Sequence, residues 1–346
     1  MAAFTTIKKS IDHFDQKLVT GNGGTQNVTG LSFAPDLVWT KSTTGTFVHT
    51  TIDKVRGGTK TMTVSAQDAE NTDANAITAF NSDGVSVGNS GITNASGQTY
   101  IYWNWKAGGS GSADTSGTLN TTATSANATA GFSIISYTGD GTGGRTIGHG
   151  LGQKPRLAWV KNREASEGQW WFIDEAGDGT SDQRVNSANQ NAGSNSNMIT
   201  FNTNTITLPS SSDGAWSGNG TTYIMYCWAP IRGYSAFGKY QGNGNANGPF
   251  VYTGFKPAWL LVKNLGIQEV WPMWDNKRDT ANPNQQVLFT NSSAADTTYS
   301  TRSVDFFSNG FKIRGTDPSV NNNTSDIMYM AFAEEPLVGD NPATAR

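Results

Sequence analysis

Three stretches of this chain decide its fold: Pro35-Asp36-Leu37-Val38-Trp39-Thr40-Lys41, Pro155-Arg156-Leu157-Ala158-Trp159-Val160-Lys161 and Pro257-Ala258-Trp259-Leu260-Leu261-Val262-Lys263. Proline and lysine stand six apart in each, with a continuous apolar run between them. A half-buried strand alternates apolar and polar residues. A strand covered on both faces does not, so these runs read as central strands of a sheet.

Other landmarks recur around them in one order. A glycine turn comes first: Thr20-Gly21-Asn22-Gly23, Thr138-Gly139-Asp140-Gly141, Gln241-Gly242-Asn243-Gly244. After the lysine, a short segment ends in aspartate: Val48 to Asp53, Trp170 to Asp174, Trp271 to Asp275, with lysine-to-aspartate separations of 12, 13 and 12. Two strands close each unit. One runs Phe80–Val87, Phe201–Leu208 or Phe307–Ile313. The other runs Tyr100–Trp105, Tyr223–Trp228 or Ile327–Phe332. The proline period is 120 and then 102 residues, and the Trp105, Trp228, Phe332 period is 123 and then 104. Two independent landmarks with matching periods indicate a threefold internal repeat.

The expected architecture is all-β: three tandem β-sandwich, jelly-roll-like repeat domains. They span residues 17–108, 131–233 and 234–337. Residues 1–16 precede the first unit, with a strand completing that unit as the plainer reading. Residues 109–130, rich in Gly, Ser, Thr and Ala, read as a flexible linker or as a segment lying extended along a neighbour. Residues 338–346 are a tail. The short second junction predicts that units two and three pack as a block, with the first unit hinged. Helix is sparse: residues 7–17 suit a short N-terminal helix and 64–79 one or two turns. Asp83-Gly84 predicts a hairpin turn or bulge.

Composition fits thin cores of large rings under a polar, weakly charged surface. Hydrophobic residues are 36%, charged residues 15%, and there are 11 Trp and 40 Gly. A net charge of −3 without basic runs argues against nucleic acid, whose binding needs a cationic footprint. No apolar run reaches the ~20 residues of a membrane helix, and no signal peptide is evident. The single cysteine, Cys227, lies in an apolar run and reads as a core residue made in a reducing cytoplasm.

The residues that carry chemistry form no catalytic constellation. His13, His49 and His149 lie in different units without metal-ligand spacing. The acid pairs Asp174-Glu175 and Glu334-Glu335 are neighbours, which a strand sends to opposite faces, so they cannot act as a glycosidase pair. The loop Asp178–Asp182 carries oxygen ligands but no calcium-loop spacing. No enzyme, metal or cofactor is therefore expected. The recurring lysine and aspartate sit at opposite ends of a hairpin and read as solvated strand ends. The ligand- or subunit-contact candidates are Trp216, in the polar loop Ser210–Gly220, and then Trp170, Trp171 and Trp271.

The segments FDQKLVTGNGGTQNVTGLSFAPDLVWTKS, NSDGVSVG, NASGQTYIYWNWKAGGS and TSANATAGFSIISYTGDGTGGRTIGHGLGQKPRLAWVKNR resemble a repeat domain of tail-fibre-like and other virion structural proteins of cyanophages and marine tailed phages. The resemblance covers residues 14–230 closely and 235–335 loosely. It implies an external virion protein with residues 1–16 as its virion-docking segment, whose partners are other virion proteins and a host surface polysaccharide, with a homotrimer expected by analogy with fibres. The chain lacks a collagen-like or coiled-coil shaft. A short tail appendage, a capsid decoration protein and a polysaccharide depolymerase are the competing readings.

Overall fold

The computed structural model describes residues 5–164, 170–174, 183–184, 199–210, 214–336, 338–340 and 342. The central runs are strands, as their missing alternation requires: Leu37–Ser42, Leu157–Asn162 and Phe255–Asn264, every residue of each buried. Each lies inside a six-stranded antiparallel sheet, third in the first and third sheets and fourth in the second.

In the first larger sheet the order is Phe14–Thr20, Thr99–Trp105, Leu37–Ser42, Thr50–Asp53, Lys60–Thr63, Asn71–Thr72. In the third it is Ser235–Gln241, Asp326–Pro336, Phe255–Asn264, Pro272–Asp275, Gln286–Phe289, Thr297–Thr298. The second sheet, from Ala123–Asn127 and Phe132–Thr138 through Thr222–Trp228, Leu157–Asn162 and Trp170–Asp174 to Gln183–Arg184, carries an extra strand at its start. A three-stranded sheet covers one face of each: Gln26–Val28 with Gly84–Val87 and Ala79–Asn81; Thr146–Gly148 with Thr205–Thr207 and Thr200–Phe201; Phe250–Tyr252 with Gly310–Ile313 and Val304–Phe307. The molecule is all-β and sandwich-like.

The glycine turns close each first strand onto the loop before the last one. A Cβ at Gly21, Gly139 or Gly242 would lie 2.2–2.4 Å from a carbonyl oxygen of that loop. Two residues on, Gly23, Gly141 and Gly244 take φ near +70°, which an L side chain resists. The Asp83-Gly84 hairpin forms as expected, with Asn81 opposite Gly84.

Alternate residues of each larger sheet face two different cores. Val38, Tyr100 and Tyr102 meet Val28, Val85 and Val87 of the covering sheet. Their neighbours Leu37, Trp39, Ile101, Trp103 and Trp105 face the other way, into a core shared with Trp159, Trp228, Trp259 and Phe332 of the other two larger sheets. Trp39 touches Trp159 at 5.0 Å and Trp259 at 6.1 Å between ring centroids, edge to face in both cases. Trp105 meets Trp228 and Trp259 in the same way, at 6.4 and 6.1 Å. The three larger sheets therefore close into a ring around one aromatic interior. The buried Nε1 atoms of Trp105, Trp159, Trp228 and Trp259 have no conventional acceptor. Edge-to-face packing is the arrangement that offers an indole N–H a ring face instead.

This ring corrects several expectations. The units are not independent sandwiches, and the first is not hinged, because Phe14, Trp39, Trp103 and Trp105 lie in the common interior. Residues 109–130 do not form a free linker. They include the strand Ala123–Asn127, which pairs with Phe132–Thr138, and Leu119 and Thr118 bond to Thr146 at the edge of the second covering sheet. Within 1–16, Ile7 is buried in the shared core, and Lys8 and Ser10 contact Asp340 and Glu335 at the far end of the chain. The strand Phe14–Thr20 begins inside that segment. The expected helices reduce to a 3-10 turn at Ser10–Asp12, while 64–79 holds only the short strand Asn71–Thr72 and part of another.

Candidate ligand-binding face

The four tryptophans expected at a contact surface serve the interior. Trp170 and Trp271 are fully buried in the shared core. Trp170 Nε1 donates to the Thr63 carbonyl of the first sheet at 2.8 Å, and Trp271 packs on Phe172 at 5.2 Å. Trp216, despite its polar loop, is 5% exposed and packs at a tilt on half-buried Trp171, 5.6 Å between ring centroids. Its carbonyl accepts from Tyr137 Oη at 2.9 Å. The Asp178–Asp182 loop, Glu175 and Ser211–Asp213 lie outside the described residues.

The recurring lysines and aspartates are not solvated strand ends. Lys41, Lys161 and Lys263 are all buried. Lys41 Nζ donates to the Ser42 and Gly45 carbonyls, Lys161 Nζ to Gln67 O at 2.9 Å and Lys263 Nζ to Glu269 O at 2.5 Å. Burial lowers all three ammonium groups to about 8. Asp53 and Asp275 each pair with the arginine three residues on: Arg56 Nε to Asp53 at 2.5 Å, Arg278 Nε to Asp275 at 2.6 Å. A second acid completes each cluster, Glu70 beside Arg56 and Asp296 beside Arg278. Burial alone would favour loss of the guanidinium proton, but the adjacent carboxylates more than reverse this for both arginines.

Each cluster joins two sheets. Tyr226 Oη of the second sheet donates to Asp53 at 2.8 Å, and Arg163 forks onto Glu70 at 2.8 and 2.9 Å. At the corresponding place Trp103 Nε1 of the first sheet donates to Asp275 at 3.2 Å. Glu70 N donates to Arg163 O, and Asp296 N to Thr43 O. These groups are clamps of the ring, and their partners are accounted for by structure. His49 likewise accepts from Trp39 Nε1 at 3.1 Å and stacks on Trp103. Burial holds its imidazole well below the usual histidine range.

The outward face of the third covering sheet is different in kind. Register places Phe250, Lys312 and Asp305 side by side across its three strands, with Tyr252, Gly310 and Phe307 in the next row. Phe250 is 46% and Tyr252 59% exposed. Phe250 and Phe307 rings lie 6.1 Å apart, and the Phe250 ring leans over Gly310, whose added Cβ would sit 3.0 Å from Phe250 Cζ. Beyond Phe307 a groove of about 560 Å³ opens between Asp305 and Arg314 on one side and Asn282-Pro283 on the other. Its floor is fixed. Arg314 Nε donates to Asp305 Oδ2 at 2.5 Å. The Asn282 side chain pairs with both backbone groups of Phe306, at 2.9 and 3.0 Å, much as a further strand would.

The equivalent faces of the other two covering sheets are small and polar. In the first, Asn27, Ser86 and Asn81 stand at the places of Phe250, Lys312 and Phe307, and Ser86 bridges the two asparagines at 2.6 and 2.9 Å. In the second, the places hold Thr146, Thr207 and Asn202, with Asn202 Nδ2 donating to Thr207 at 3.1 Å. Exposed rings on one of three like-ordered faces are a departure that folding does not require. The sequence signal was present: Phe250-Val251-Tyr252 is apolar at all three positions of a short edge strand, where Asn27 and Thr146 stand in its counterparts.

The other comparisons are silent: no curated protein matches the chain, and no solved structure does. A family described as a domain of unknown function, DUF7483, matches residues 9–336 as one unit. That span takes in all three larger sheets and their common interior, so the protein is a member of the DUF7483 family.

Proposed function

We propose that the chain is a non-enzymatic structural protein of a phage particle, a tail-fibre-like appendage that attaches to the host surface through the outward face of its third unit. The observation that carries this reading is the ring-bearing face of Phe250, Tyr252 and Phe307 where the sister sheets carry hydrogen-bonded polar residues. The motif resemblance to virion proteins supports the location. In this reading the chain is three copies of one module packed through a common interior, and it assembles on its particle as a homotrimer, by analogy with fibres.

Mass spectrometry of purified particles, with immunogold labelling, tests the proposal. A few copies at the tail are expected. Hundreds of copies on the head would replace attachment by capsid decoration, and absence from the particle would overturn both. Release of new reducing ends from host envelope polysaccharide would overturn the non-enzymatic part.

A further inference from the structure

We infer that the groove and ring platform of the third covering sheet form a carbohydrate site, taking a pyranose glycan that presents a vicinal diol. This names the ligand class for the attachment face proposed above and rests on that reading for its biological role, but the site itself stands on its own geometry.

Two features define the chemistry. The first is the paired donor and acceptor. Arg314 uses Nε on Asp305 Oδ2, and no bond within the described chain engages its two terminal nitrogens or Asp305 Oδ1. The pair therefore offers donors and an acceptor side by side on a held frame. Adjacent sugar hydroxyls are their complement, since each hydroxyl both donates and accepts. The ion pair also orients Arg314 before a ligand arrives, which lowers the ordering cost of binding. The second feature is the ring row. Phe307 borders the groove, and Phe250 and Tyr252 continue from it across the sheet. Aromatic faces offer flat apolar area to the C–H face of a pyranose, and Gly310 keeps the space between them low.

Other occupants fit less well. Two rings exposed to 46% and 59% present about 200 Å² together, against roughly 800 Å² per partner in a stable protein interface. A second copy of the chain would need far more apolar surface around them. An added peptide strand would find only three residues of edge at Phe250–Tyr252. Nucleic acid would require a basic field, while this face sets Lys312 and Arg314 against Asp305 in a chain of net charge −3. The groove lies within the 300–1,000 Å³ range of small-ligand sites.

The full chain, labelled and applied to a printed array of neutral and acidic pyranose oligosaccharides, should bind at least one structural class. Phe250→Ala, Tyr252→Ala and Arg314→Met should each weaken that binding about tenfold or more. Asn27→Ala and Thr146→Ala, at the equivalent places of the sister sheets, should leave it unchanged. Unaltered circular dichroism of all three variants, with an unaltered melting temperature for Phe250→Ala and Tyr252→Ala as their exposure predicts, shows that the loss is local. No binding across the array, or binding that these three variants leave intact, overturns the glycan site. Concentration-dependent dimerisation abolished by Phe250→Ala also overturns it, in favour of a second copy. Failure here with the protein found at the tail removes only the glycan assignment. Array binding with the protein absent from particles removes only the attachment role.

Discussion

Replacing Trp39 by alanine asks whether the three sheets fold as one body. Trp39 is 1% exposed and touches Trp159 and Trp259 from the other two larger sheets. Its removal costs transfer and cavity terms of about 3–5 kcal/mol. The buried His49 Nδ1 also loses its donor, which adds about 1 kcal/mol. If the ring melts as a unit, the entropy of unfolding is that of the whole 346-residue chain, and a loss of about 4–6 kcal/mol lowers one calorimetric transition by about 6–8 °C. If residues 14–105 melted alone, the same loss would be set against about a quarter of the entropy, and their own transition would fall by more than about 20 °C. Differential scanning calorimetry separates the two. A trace with several transitions, one displaced far and the others unmoved, would refute the shared core as the organising interaction.

Two further outcomes follow from the buried charges. The lysines Lys41, Lys161 and Lys263, lowered to about 8 by burial, release their protons in the folded chain while the unfolded chain keeps them to near 10.5. Stability should therefore rise between about pH 8 and 9.5, by at most roughly 1.4 kcal/mol per pH unit for each lysine. Urea midpoints that stay flat or fall across that window would contradict this, and the triple Lys→Met variant should lose the rise. Arg56→Met should destabilise by about 3–5 kcal/mol, because it leaves the buried Asp53 carboxylate without its cation, beside Tyr226 Oη, and takes the donor from the Thr51 carbonyl. The double variant with Asp53→Asn should recover most of that loss in the same urea titration, and a double as unstable as the single would show that the cluster does not act as an ion pair.

The central strands were legible because burial on both faces removes alternation from the sequence, as in Leu157-Ala158-Trp159-Val160. What covers the second face was not legible. A buried position carries the same letter whether it meets its own covering sheet, as Val160 does, or two foreign sheets, as Trp39 does. The lysines misled for a related reason. A charged residue closing an apolar run reads as a solvated end, yet neighbouring carbonyls satisfy Lys41 at no exposure. Trp216 misled because its loop is polar, while its ring joins the core of the second sandwich, packed against Trp171. The Asp-x-x-Arg spacing of Asp53–Arg56 and Asp275–Arg278 is a sequence signal for these pairs, since the turn after each strand brings residues three apart together. On the third covering sheet, Asp305 and Arg314 lie nine residues apart and meet only through the pairing of Val304–Phe307 with Gly310–Ile313.

The division of labour within the chain explains why one face could depart from its sisters. Residues turned toward the ring interior are bound by three sheets at once, so a change there disturbs rings on two neighbours. Residues turned toward a covering sheet are bound by one sandwich. Residues on the outward side of a covering sheet are bound by their strand partners, as the Asn27, Ser86 and Asn81 contacts show, and by single strand-flanking segments, as Thr118 on Thr146 and Gly248 on Lys312 show. Rings placed there gain little burial, with Phe250 and Tyr252 about half exposed, and contribute little to folding. Such positions tolerate large aromatics without strain, but stability offers no reason to put them there. Three neighbouring aromatics in that position, beside an arginine held by an aspartate, are therefore the feature on which the proposed attachment face rests.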